Sequence, residues 1–497
     1  MRTMLLSGVA LTLLTLPVAA QQTGEPGFDW FAAGEASIAE RLALQPITGK
    51  AKNVILFTAD GNGIGTNYAI RLFAGQQKGG LGDDFVLPQE TFPNMALVKT
   101  YSANGQTPDS APTATAMNTG MKTKNDLINV DDTVAVGDCA GRTGHELKPF
   151  AEIVSEMGKS VGVISTARIT HATPAAVYAR TVNRDWEDNS ALPEGCDQKD
   201  IAAQLVDQMK AGVIDIAMGG GRSHFLPEAV TDDEGKPGKR TDGRNLVEEL
   251  EEAGAQYAWD ENGFQALTAA GNAPVLGLFE ASHMKYEHDR TGEPSLAEMT
   301  EKAITALSAN EQGFYLNVEA GRVDHANHDG NLFRVLTDGV AFADAIQKAM
   351  EMTNPEETLI IVTADHEHAI SFNGYCGRGT SITGLCMAVN EEGIKRLDEP
   401  ELAADGKPYT VAGYLNGAGS VLVEQADKSF AGSRPDLTEE EATDPDYVQQ
   451  ALVPMSSETH SGEDVAVFAR GPWAHLFSGV IEQNVIFHVM NHAVTAE

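Results

Sequence analysis

The stretch "NVILFTADGNGIG" occupies residues 53–65. Its opening, "NVILFT", is a short, nearly continuous apolar and β-branched run. Such a run belongs in a strand covered on both faces, because a half-exposed strand would alternate apolar and polar residues. An acid, Asp60, and a glycine-rich turn follow directly. The same pattern recurs in "SVGVIST" (160–166), "GVIDIAM" (212–218), "GFYLNV" (313–318), "TLIIVT" (358–363) and "DVAVFA" (464–469). Between these runs, "RNLVEELEEAG" (244–254), "SLAEMTEKAITALSA" (295–309) and "NLFRVLTDGVAFADAIQKAMEM" (331–352) place apolar residues three and four apart, the period of helices with one buried face. Strands alternating with helices predict an α/β fold: a three-layer sandwich around a large, mostly parallel sheet. Residues 21–50 read as an N-terminal arm and 51–497 as one catalytic domain. Residues 228–243 read as a surface loop, and 371–455 as an inserted subdomain.

In open α/β sheets, ligands bind beyond the carboxyl ends of the strands. Those ends carry one chemistry here. Asp60 follows the first run. "TARITHATP" brings His171 and Thr173 after the second. "NVEAGRVDHANHDG" holds Glu319, Asp324, His325 and His328, and "TADHEH" holds Asp365, His366 and His368. His460 stands shortly before the last run, in "SSETHSGEDVAVFA". Carboxylates and imidazoles repeated at strand ends point to a metal cluster, since zinc takes His nitrogen and carboxylate oxygen and magnesium prefers oxygen. Asp324 and His328 are four apart, so one helical turn sets both on one face.

"TPDSAPTATAMNTG" (107–120) places Asp109 directly before Ser110. A serine hydroxyl is a poor nucleophile near neutral pH, and a bound zinc favours its deprotonated form. If a helix begins at residue 110, its N-terminus also favours an anion there. The competing reading makes Ser110 only the cap of that helix. A Ser/His/Asp triad is a further alternative, but no GxSxG turn surrounds this serine.

The chain carries 71 Asp and Glu against 35 Lys and Arg, a formal charge of −36. So acidic a surface repels nucleic acid and anionic membranes, and favours solubility in salt. "MRTMLLSGVALTLLTLPVAA" (1–20) reads as a signal peptide with cleavage after Ala20, which predicts a periplasmic or secreted protein. The C-terminal "MNHAVTAE" lacks the hydrophobic tail of a lipid anchor. Export and an even cysteine count suggest two disulfides: Cys376 with Cys386 across a short loop, and Cys139 with Cys196 across a longer one. A zinc site is the alternative, although no CxxC pair is present.

"DSAPTATA" (109–116) resembles the nucleophile signature of alkaline phosphatases. The resemblance continues, in family order, through "ADGNG", "HATPAAVYARTVNRDW", "MGGGR", "GLFEASHMKYE", "VEAGRVDHANHDG", "TADHEH" and "THSGED", over nearly all of residues 50–475. It implies hydrolysis of small-molecule phosphate monoesters with broad specificity, through a phosphoserine at Ser110. Arg184 would grip the phosphate oxygens. Asp324, His328 and His460 would hold one zinc; Asp60, Asp365 and His366 a second; and Asp60, Thr173 and Glu319 a magnesium. His171 and His325 match the animal-type branch and would tune the magnesium site and phosphate release. That branch also has a calcium-like site, onto which Glu234, Glu280 and the Phe279 carbonyl map. Glu293 stands there in place of an aspartate. The family further implies a homodimer. The rivals are a hydrolase of the same superfamily acting on diesters or sulfate esters, and a secreted metal-binding protein without catalysis.

Overall fold

The computed structural model describes residues 28–268, 273–393 and 396–496. The expected signal peptide, residues 1–20, lies outside them. Ten strands form one sheet. In chain order they are β1 (Asn53–Ala59), β2 (Asn94–Lys99), β3 (Ser160–Arg168), β4 (Ile216–Gly220), β5 (Gln256–Ala258), β6 (Val275–Leu278), β7 (Phe314–Ala320), β8 (Thr358–Ala364), β9 (Val465–Arg470) and β10 (Val480–Glu482). Across the sheet they run β10-β2-β9-β8-β1-β7-β3-β4-β6-β5. Every neighbouring pair is parallel except the two made by β9, which runs against both β2 and β8.

The continuous apolar runs serve two cores at once. Val54 and Leu56 of β1 join one core with the helices Ser110–Thr119, Ile201–Lys210 and Val485–Thr495. Ile55 and Phe57 point the other way and join a second core with Ile64–Gln77, Leu296–Leu307 and Leu332–Met352. Because successive strand residues face opposite sides, this assignment requires helices on both faces. The three-layer α/β sandwich follows.

Smaller elements occupy residues 370–454. Ile370–Phe372, Ala412–Gly417 and Ala451–Pro454 form a three-stranded sheet. Met387–Val389 pairs with Arg396–Pro400, and Val423–Glu424 with Phe430–Ala431. Disulfides join Cys139 to Cys196 and Cys376 to Cys386. The 21–50 stretch contains a helix, Trp30–Ala43. The 228–243 segment is made of turns, yet it hides Arg240, which is fully buried and paired with Asp200 (2.9 Å) and Asp242 (2.6 Å). Among the described residues no helix is long and apolar enough to cross a membrane.

Candidate metal centre and nucleophile

The site residues meet at the carboxyl edge of the parallel strands. Asp60 follows β1 directly, and the turn behind it depends on Gly61. Gly61 has φ +67°, and a Cβ there would lie 2.3 Å from the His368 ring. Glu319 is the penultimate residue of β7, and the helix Arg322–His328 carries Asp324, His325 and His328. Asp365 and His366 follow β8. His460 precedes β9, and because β9 runs antiparallel its start lies at this same edge. The short pair His460–Ser461 with Glu367–His368 then fixes it beside β8.

Ser110 is the first residue of its helix, but it does not cap it. Asp109 is the cap, accepting from Ala111 N (2.6 Å) and Asp126 N (2.7 Å). The Ser110 hydroxyl is therefore released from capping. Its Oγ lies 3.3 Å from His366 Nε2 and 3.4 Å from both Asp60 oxygens. Asp60, Asp365 and His366 present ligand atoms close enough to share one ion, and all three are fully buried. Gly61 N and Thr113 Oγ1 donate to Asp365 (3.0 and 3.2 Å), which orients that carboxylate.

A second cluster centres on Asp324. Its Oδ1 lies 2.9 Å from His368 Nε2, 3.2 Å from His460 Nε2 and 3.4 Å from His328 Nε2. His328 Nδ1 donates to the Glu458 carbonyl (2.6 Å), and His460 Nδ1 to the Pro108 carbonyl (2.9 Å). Each neutral ring has one proton, so both Nε2 atoms are bare. Two bare nitrogens face one another at 3.1 Å beside a carboxylate. That donor set repels itself and fits a cation held between its members, with second partners that orient each imidazole. His368 lies in the same group by distance, but both its nitrogens are already taken. Nε2 meets Asp324, and Nδ1 meets Glu458 Oε2 at 2.5 Å. Burial opposes its charge, yet the two carboxylates hold its pKa up at about 10. It steadies Asp324 as an imidazolium.

A third group joins Asp60, His171 and Glu319. Thr173 Oγ1 reaches Asp60 Oδ2 at 3.4 Å. Ser165 donates to one Glu319 oxygen, and the other, Oε1, is buried without a partner. The orphan oxygen and the carboxylate pair fit a divalent ion. Burial and neighbouring carboxylates push Asp60 and Asp365 up to about 7, and Glu319 well above its usual range. Crowded buried acids of this kind require either protons or metal.

Arg184 sits between Asp109 (3.2 Å) and His171 Nε2 (3.0 Å), so its fork is held at the mouth of the site. The His325 and His171 rings lie 5.4 Å apart. The carboxylates of the expected calcium-like site, Glu234, Glu280 and Glu293, all lie near Lys285. Glu234 pairs with Arg222, Glu280 with Lys285 Nζ (2.9 Å), and Glu293 accepts from Lys285 N (2.8 Å). The Phe279 N–H donates to Gly219 (2.8 Å) inside the sheet. Among the described residues these carboxylates form no metal-holding group.

The sequence profile of the family described as alkaline phosphatase matches residues 51–496. The chain belongs to the alkaline phosphatase family. It is 40% identical over 492 residues to the alkaline phosphatase of Gadus morhua, covering 95% of this chain and 98% of that one. It is 40% identical to the tissue-nonspecific alkaline phosphatase of Felis catus, covering 97% and 91%. In fold it is similar to alkaline phosphatase from the Antarctic bacterium TAB5 (TM-score 0.60, 23% identity, covering 90% and 99%). It is likewise similar to that of Thermus thermophilus (TM-score 0.63, 24% identity, covering 91% and 93%). Alkaline phosphatases are metal-dependent enzymes that hydrolyse phosphate monoesters, and this chain is one of those hydrolases. Three alkaline phosphatase site features escaped the sequence reading: Asp109 as cap and Arg184 partner, Glu458, and the clamping role of His368. An acid before the serine was the only local signal among them.

Proposed function

We propose that Ser110 attacks the phosphorus of a broad range of phosphate monoesters and carries the phosphoryl group as phosphoserine. One observation supports this above all: a hydroxyl freed from capping lies at a helix N-terminus, within 3.4 Å of Asp60 and His366. Asp324, His328 and His460 would hold one zinc, and Asp60, Asp365 and His366 a second. Asp60, Thr173 and Glu319 would hold magnesium, with His171 close by. When bound, the two zinc ions supply Lewis acidity that favours the Ser110 alkoxide and offsets charge on the attacking and leaving oxygens. Arg184 grips the equatorial oxygens with its planar fork, and Asp109 and His171 keep that fork aimed. The helix N-terminus favours the anion at Ser110. Water then cleaves the phosphoserine and regenerates the hydroxyl. The enzyme acts as a secreted or periplasmic homodimer, with residues 371–455 contributing to the interface.

The reading is tested with p-nitrophenyl phosphate, bis(p-nitrophenyl) phosphate and p-nitrophenyl sulfate, before and after chelation. The monoester is expected to dominate, with activity lost on chelation and restored by zinc. A diester or sulfate ester turned over faster would place the enzyme among the superfamily's other hydrolases. Stable zinc binding without any hydrolysis would leave only a metal-binding protein.

Metal also governs stability with a definite sign. Asp60 and Asp365 rise from 3.8 to about 7 on folding. Below pH 3.8 both states are protonated and folding is not penalised. Between 3.8 and 7 the unfolded chain releases protons that the folded chain keeps, so metal-free stability falls as pH rises. Zinc takes the place of those protons. The rise in Tm on adding zinc is therefore expected to be larger at pH 8 than at pH 5.5, measured by calorimetry. An equal rise at both values would contradict the assignment of these carboxylates as ligands.

A further inference from the structure

Glu187 stands three residues after Arg184, and among the described residues no metal-holding group includes it. It is only 8% exposed. Burying a carboxylate is costly unless it is paired and hydrogen-bonded. Here every partner comes from a segment that flanks the site. Arg168, the last residue of β3, donates to it side-on, from Nε to Oε2 and from Nη2 to Oε1, both at 2.8 Å. Thr170 Oγ1 donates to Oε2 at 2.6 Å. His224, in the turn after β4, lies 3.6 Å from the same oxygen and donates from Nδ1 to Asp188 (2.7 Å). One carboxylate thus gathers the ends of two strands and the segment that bears Arg184.

These bonds close a ring around the phosphate clamp. Arg184 Nη2 donates to His171 Nε2 at 3.0 Å. His171 N donates to the Arg168 carbonyl at 2.8 Å. Arg168 reaches Glu187 through its guanidinium, and the chain runs from Glu187 back to Arg184. The Glu187 end of the ring is itself anchored. The Trp186 and Glu187 carbonyls accept from Ile201 N and Ala202 N, both at 3.0 Å, which are the first N–H groups of the helix Ile201–Lys210. The Trp186 side chain packs with Leu127, Val130 and Val182. A long side chain is aimed only when its backbone and the groups beside its tip are both fixed, and a displacement of about 1 Å is enough to cost a large factor in rate.

We propose that Glu187 is a positioning residue for phosphate binding: it ties the loop that carries His171 to the segment that carries Arg184, and so sets the aim of the Arg184 fork. The proposal rests on the reading of Arg184 as the phosphate clamp given above. Both the charge and the two oxygens of Glu187 are needed. An amide in its place accepts through one atom only and leaves the Arg168 guanidinium without its counter-charge. The His171 loop then loosens from the Arg184 segment, and the fork loses one of its two guides. A pair that served stability alone would lower Tm and leave the affinity of the folded enzyme for phosphate unchanged.

The test is a double-substitution cycle in zinc-saturated enzyme, read by turnover of p-nitrophenyl phosphate and by inhibition with inorganic phosphate. Glu187→Gln is expected to raise the inhibition constant of phosphate and to lower kcat/KM, each by roughly tenfold. In an Arg184→Ala background the same substitution should change either quantity by less than about twofold, because the aim of an absent fork no longer matters. Equal factors in both backgrounds would overturn the proposal. So would a lowered Tm with phosphate affinity unchanged. Should Glu187→Gln not fold, Arg168→Lys carries the same cycle, since it keeps the charge and loses the fork. If Arg184→Ala alone alters neither phosphate inhibition nor kcat/KM, the reading of Arg184 as clamp falls first, and the positioning role falls with it.

Discussion

Ser110→Ala is expected to lower turnover of p-nitrophenyl phosphate by about four orders of magnitude, the scale on which removing a covalent nucleophile acts. Among the described residues Ser110 is the only hydroxyl within hydrogen-bond reach of both Asp60 and His366. Thr113 is the nearest by position on the helix, but its Oγ1 is engaged with the Asp109 and Ser110 carbonyls and with Asp365. Asp109 caps the helix, so the substitution removes no capping bond and the fold should be kept. Metal content and Tm of the variant are therefore expected to stay near the wild-type values. Acid quenching during turnover should trap phosphate on the wild-type chain and none on the variant. Turnover of the variant within about tenfold of wild type would remove Ser110 from the mechanism.

Asp324→Ala should have the second largest effect. Asp324 faces His328, His368 and His460 at once, and His368 Nε2 donates to its carboxylate at 2.9 Å. Losing a supporting residue costs roughly ten- to a hundredfold in metal affinity, so losing a direct ligand should cost about a thousandfold or more. The variant is expected to lose about one zinc per chain and to drop kcat/KM by a similar factor, with partial rescue by excess zinc. Ser110 keeps its own neighbours Asp60 and His366, which follow β1 and β8 rather than the Asp324 helix. Full zinc content together with undiminished activity would show that Asp324, His328 and His460 are not a ligand set.

Much of this arrangement is legible before folding. The apolar runs at β1, β3, β7 and β8 each exceed what a half-exposed strand would carry, so they mark the sheet interior directly. The acids and imidazoles after them follow in the order the site needs. The two outermost strands on each side of the sheet are harder to see. β2 fully buries only Ala96 and Val98, β5 and β10 have only three residues each, and β6 contains a glycine. They are held in place by hydrogen-bonded neighbours more than by their own composition. His368 and Glu458 meet across ninety positions of chain. No local pattern announces such a contact.

Residue order alone was enough to say that a buried parallel sheet exists and that its strand ends carry ligands, because burial on both faces imposes a composition that can be read locally. It could not say which way β9 runs. An apolar strand reads the same in either direction, and only pairing with β2 and β8 sets its polarity. In a parallel β9, His460 would lie at the far edge of the sheet. The antiparallel run carries it to the metal centre, next to Asp324 and His328.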